Sequence, residues 1–210
     1  MFAFLNKGGW LMYVILFLSI LSFTVFVERI RYLKEVKKRS RRLAERVRQV
    51  LKRGDIRSAI SICEKSKEPI AKVLLSGLKN YEEDREYIIE VIKSTANREI
   101  PRLGRNLGIM STSATVAPLI GLLGTVFGMI QSFHSIELEG TGKPQVLAGG
   151  ISVALLTTAF GLTVAIPTII AYNYLTHLVD NEILYMEEEA FFVVDFIIKN
   201  RELLLKKAEV

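Results

Sequence analysis

Charge is missing from three long stretches of this 210-residue chain and crowded between them, and that segregation constrains the fold more than any motif. Gly8–Val27, Asn106–Ile136 and Pro144–Thr176 contain no Asp, Glu, Lys or Arg. Each is long enough to cross a hydrocarbon core, which takes about 20 apolar residues at about 1.5 Å of rise apiece. The second and third exceed that need and should tilt, or project beyond the bilayer as continuous helix. The expectation is an all-α membrane protein. It has three transmembrane helices, the second and third long and extended into the cytoplasm, a helical cytoplasmic loop and a C-terminal helix.

The first stretch is not read as a cleaved leader. Its apolar run is long, no small-x-small site follows, and Glu28-Arg29-Ile30-Arg31 makes a charged stop, so a retained helix is expected. Glu28–Arg105 holds 22 of the 28 Lys and Arg but only 12 of the 22 Asp and Glu. Most of those bases fall in Arg29–Arg57, close to a membrane end, and the positive-inside rule puts this loop in the cytoplasm. The expected order is transmembrane helix 8–27, cytoplasmic loop 28–105, transmembrane helix 106–136, periplasmic loop 137–143, transmembrane helix 144–176 and cytoplasmic helix 177–210. The N-terminus is then periplasmic and the C-terminus cytoplasmic.

Within the loop, Arg31–Arg53 is nearly free of helix breakers, with Leu33, Val36, Val47, Val50 and Leu51 at helical spacing. Gly54-Asp55 reads as a turn and cap, followed by helices over Ile56–Lys65, Ile70–Asn80 behind Pro69, and Tyr87–Glu99. Pro101 is expected in a bend, or as a kink in a helix continuing into the second span. In the tail, Ile183, Leu184, Phe191, Val194 and Ile198 alternate with acids such as Glu187–Glu189, which could pair with the basic loop helices. The basic run Lys37–Arg42 has no aromatic interleaving or nucleic-acid motif, so it reads as a solvated face beside an anionic leaflet. Cys63 is the one cysteine, which excludes an internal disulfide and any CxxC metal site; a reduced structural thiol is expected.

On a helical wheel the third span gathers Gly150, Ala154, Thr157, Thr158, Gly161, Ala165, Thr168 and Tyr172 on one face. The second span gathers Ala114, Ala117, Pro118, Gly121, Gly124, Thr125, Gly128 and Ser132. Small-xxx-small spacings such as Gly121–Thr125 and Gly124–Gly128 let helix backbones approach closely. Two readings fit. The stripe packs helices, with Thr hydroxyls bonded to their own helix. Or it also walls a polar path, with Thr125, Thr158 and Thr157 supplying hydroxyls that donate and accept. The second reading needs a titratable group, and neither span has a carboxylate, so the acid must come from a partner's transmembrane helix. His134, Glu137 and Glu139 lie at the outer mouth and read as solvated loop. No nucleophile–base pair, metal cluster or phosphate loop points to an enzyme, and no cofactor is expected. The Gly121–Gly128 run lacks the lysine of a Walker A loop.

Ala117–Ile130 (APLIGLLGTVFGMI) with Phe133, and Gly150–Pro167 (GISVALLTTAFGLTVAIP) followed by Tyr172-Asn173, resemble the signatures of the MotA/TolQ/ExbB proton-channel family. Weaker matches are Val27-Glu28-Arg29, Gly54-Asp55 with Ala59, and Gly77-Leu78. The resemblance covers nearly the whole chain. Three spans with a large first loop resemble TolQ and ExbB rather than the four-span MotA. It implies an inner-membrane motor subunit, a homopentamer around an ExbD- or TolR-like single-span protein whose transmembrane Asp supplies the absent acid. Proton flow would then power TonB-type outer-membrane transport or Tol-Pal envelope maintenance, with TonB- or TolA-like proteins downstream. The family's two pore threonines fall at Thr125 and Thr158. Many ExbB proteins carry a glutamate where this chain has Val153, so any activity here proceeds without that acid. The competing expectation is a non-conducting scaffold oligomer that only anchors its partner.

Overall fold

The structure, a computed structural model, describes residues 9–139 and 144–201, with the side chains of 138–139 and 144–147 left out of the description. Gly8, most of the expected 137–143 loop, the side chain of Glu139 and the end of the expected C-terminal helix fall outside it. Among the described residues six α-helices follow one another: α1 Trp10–Lys52, α2 Ile56–Glu64, α3 Pro69–Lys79, α4 Arg85–Leu103, α5 Leu107–Glu139 and α6 Pro144–Lys199. No strand occurs among the described residues. The protein is an all-α membrane protein: α1, α5 and α6 are each long and apolar enough to cross a bilayer.

The charged residues after Val27 do not end the first helix; α1 runs on to Lys52 because its next breaker is Gly54. There Gly54 takes φ +74°, a left-handed conformation that glycine adopts without steric strain. Asp55 then caps α2, its carboxylate accepting from the Ser58 N–H at 3.0 Å. Pro101 neither bends the chain nor kinks a helix running into α5. It sits in the last turn of α4, and the break comes at Gly104–Asn106, with Asn106 at φ 64°. Asparagine is among the few residues that tolerate that region.

The chain divides into two compact units, and the boundaries pass through α1 and α6. The first comprises residues 1–29 and 106–175, the second 30–105 and 176–210. In the first unit α1 buries Leu11, Met12, Ile15 and Val25 and exposes Trp10, Tyr13, Phe17, Ile20 and Phe23. Exposed apolar residues are ordinary on a surface that meets lipid.

The second unit has a core of large apolar side chains. Ile70, Leu74 and Leu78 of α3 and Ile88 of α4 are wholly buried, and α3 approaches α4 closely at Gly77 beside Ile92. Charge pairs surround it. Glu99 is buried and held by Lys72 at 2.9 Å and Arg102 at 2.8 Å. Arg48 of α1 grips Glu189 of α6 through two bonds, at 2.8 and 3.2 Å, and stacks 4.3 Å over the Phe192 ring. Arg201 reaches Asp84 at 3.2 Å. One tail acid, Glu189, therefore meets a basic loop residue, while at Arg201–Asp84 the charges are the other way round. Cys63 is buried, and loss of water pushes its thiol up to about 12, which suppresses the reactive thiolate.

Candidate functional site

The small-residue stripes of α5 and α6 meet face to face in the first unit. A Cβ on Gly121 would stand 2.9 Å from both the Thr157 carbonyl oxygen and the Thr158 Cα. One on Gly124 would press on the Thr157 side chain, one on Gly128 would lie 2.8 Å from the Ala154 Cβ, and one on Gly161 would lie 2.6 Å from the Ala117 carbonyl oxygen. Gly150 sits against Ser132 in the same way. Residue numbers rise along α5 as they fall along α6, so the two helices run antiparallel along this seam. Gly121, Gly124, Gly128, Ala154, Thr157, Gly161 and Ala165 are buried, and Gly150 is half-buried. Lipid offers helices no hydrophobic drive to associate, so close approach through small residues has to supply the packing.

The three threonines do not behave alike. Thr158 Oγ1 donates across the seam to the Gly121 carbonyl at 2.9 Å. Thr157 Oγ1 is buried; it donates to Ala154 of its own helix at 2.7 Å and lies 3.3 Å from the same Gly121 oxygen. Thr125 Oγ1 instead turns back to the Leu122 carbonyl at 2.6 Å and is only half-buried. The described hydrogen bonds include none between Thr125 and Thr158 side chains. The two still share an atom. In a regular α-helix the Thr125 N–H bonds the carbonyl four residues back, and that is Gly121.

The Gly121 carbonyl is thus a hub for all three threonines, a role that a reading of Gly121 as packing alone misses. The pairing spans 36 and 37 residues, and no local periodicity signals it. Its chemistry follows from the hydroxyl inventory. Thr158 and Thr125 each spend their one proton on a backbone carbonyl, which leaves lone pairs as acceptors. In this arrangement they can receive a bond from an acid or a water, and must rotate off their carbonyls before passing a proton onward.

The other candidates stay apart from the hub. Ser132 Oγ bonds the Gly128 carbonyl of its own helix at 2.8 Å, and Thr168 Oγ1 that of Val164 at 2.7 Å. His134 and Glu137 pair at 3.6 Å near the end of α5, both well exposed.

The chain is 30% identical over 179 residues to an ExbB homolog of Methanothermobacter thermautotrophicus, an alignment covering 85% of this chain and 63% of that one. It is 39% identical over 114 residues to the biopolymer transport protein ExbB of Aquifex aeolicus, covering 54% and 76% of the two chains. Over 80 residues it is 42% identical to the Tol-Pal system protein TolQ of Haemophilus influenzae, covering 38% and 35%. Residues 65–188, which contain the whole α5–α6 seam, match the model of one family, and the chain belongs to it: the MotA/TolQ/ExbB proton channel family, on its ExbB/TolQ side.

Proposed function

We propose that this chain is the proton-channel subunit of an inner-membrane energy-transducing motor. It couples proton-motive force to outer-membrane transport or envelope maintenance through an ExbD/TolR-like partner. The observation that carries the reading is the hub: two cross-seam threonines converge on one carbonyl inside a stretch without any carboxylate. Hydroxyls left as acceptors are matched to a donor acid, and the partner's single transmembrane Asp is that donor. Several copies of this chain, a pentamer, surround the partner and present Thr125 and Thr158 to it. The basic 28–105 segment is cytoplasmic, which sets the N-terminus in the periplasm and the C-terminus in the cytoplasm.

The test is proton flux into liposomes holding this chain with and without its cognate partner, a short protein with one transmembrane Asp. Flux should need both chains and should drop on Thr158→Val, which removes the hydroxyl and keeps the branched shape. Flux that is unchanged by Thr158→Val removes the threonine role.

One observation favours a second reading. Every hydroxyl of the three threonines is bonded to a backbone carbonyl, as helix packing alone would leave it. On that reading the chain is a non-conducting scaffold that anchors its partner, and the same liposomes show no flux even with the partner present.

A further inference from the structure

In the second unit a carboxyl is buried with few of the partners a charge needs. Glu182 lies on α6 beyond the charge-free stretch and is 5% exposed; its Oε1 touches neither solvent nor a hydrogen-bond partner. Ser40 of α1 is completely buried; its Oγ meets no other partner and faces the carboxyl closely enough to favour the ionised form. Two buried polar atoms left with only each other call for an explanation, since buried polar groups are nearly always well satisfied.

The surrounding charges do not supply one. Lys37 and Arg41 of α1 face the carboxyl, but both side chains are exposed, and Arg41 is engaged 5.6 Å over the Tyr185 ring. Glu68, ahead of α3, faces it with a like charge while holding Arg39 at 3.3 Å. A carboxylate buried there beside one serine hydroxyl is costly, whereas a protonated acid is much less so. The carboxyl therefore has two ways to be at ease: keep its proton under closed helices, or ionise and gain access to water or to the two cations.

We propose that Glu182 and Ser40 form a proton-operated latch between α1 and α6, closed while Glu182 is protonated and loosened when it ionises. Burial pushes the Glu182 carboxyl above the ordinary carboxylate range; Ser40, Arg41 and Lys37 pull it down and Glu68 pushes it up again. The sign follows from linkage. The closed form binds the proton more tightly than the open one, so closure is favoured at low pH and weakens as pH rises through the closed-state pKa. This latch is independent of the α5–α6 threonines and holds whether or not the chain conducts.

Hydrogen–deuterium exchange of the full chain in lipid nanodiscs, from about pH 5 to about pH 8, reads the latch directly. After correction for intrinsic exchange, residues 36–44 and 178–186 should lose protection as pH rises, by about tenfold for every unit of pKa that closure adds. Glu182→Gln, which cannot ionise, should flatten that profile; identical profiles in wild type and E182Q overturn the proposal. Infrared spectra of the same samples provide a check that does not depend on the latch opening. The protonated-acid band absent from E182Q should persist above about pH 4.3, and its loss at or below that value overturns the proposal as well. Should E182Q not fold, Ser40→Ala keeps the carboxyl and removes a group that favours its ionised form. The transition should then move to higher pH, and a transition that stays in place overturns the role of the pair.

Discussion

The two units of this protein are held together by opposite means. In the first, α5 and α6 touch through glycines, alanines and threonines, and a hydroxyl-to-carbonyl bond crosses the seam. In the second, large side chains such as Leu74 fill a core, and arginines grip carboxylates while stacking on aromatic rings. The difference follows from the solvent. Water drives large apolar side chains together, whereas lipid leaves close packing and internal hydrogen bonds as the available glue. A seam of small residues also brings backbone carbonyls near the surface of the helix, where neighbouring hydroxyls reach them. The membrane unit's packing and its candidate chemistry are therefore one arrangement, while in the second unit the large apolar core and the buried polar groups are separate.

This comparison can be broken by substitution, starting with the largest expected effect. Leu74→Ala empties a fully buried site in the second unit and should cost about 3 kcal/mol, read as a lowered melting temperature of the full chain in detergent. Gly121→Ala makes the opposite change in the seam. The added methyl meets the Thr157 carbonyl and the Thr158 Cα, neither of which can step aside, so it should cost about 2 kcal/mol in the same assay. Gly77→Ala sharpens the contrast: its methyl meets side-chain atoms alone, Ile92 most closely at its flexible Cδ1, and alanine is favoured over glycine in a helix by up to about 1 kcal/mol, so stability should move less than at Gly121. Equal losses at Gly121 and Gly77 would remove the distinction between the units. Thr157→Val should be the mildest loss, about 0.6 kcal/mol, because hydroxyl bonds between membrane helices are individually weak.

Much of this architecture is legible in the sequence because charge and glycine are read one residue at a time. The absence of charge locates the three spans, and Gly54-Asp55 announces its own turn and cap. The same local reasoning misjudges Pro101. Pro101 is carried inside α4, and the turn that ends the helix is set by Gly104–Asn106. The seam itself is half legible. Wheel positions pick out Gly121, Gly124, Gly128, Ala154 and Gly161, but nothing local says that Thr157 and Thr158 share one carbonyl. Nor does it say that Thr125 turns its hydroxyl back to Leu122. Glu182 is illegible for the same reason: among the acids of a charged tail it looks solvated, and only the fold of α1 against it removes the water.

The central claim is that the seam's hydroxyls carry protons in concert with an acid supplied by a second chain. Its most direct test is proton flux through liposomes containing this chain and its single-span partner, comparing Thr125→Val with Thr158→Val against Thr125→Ser with Thr158→Ser. Valine keeps the shape and removes the hydroxyls, and serine keeps the hydroxyls and removes the methyls. The account predicts that the serine pair conducts and that the valine pair falls to the level seen without the partner. Wild-type flux through the valine pair would contradict it.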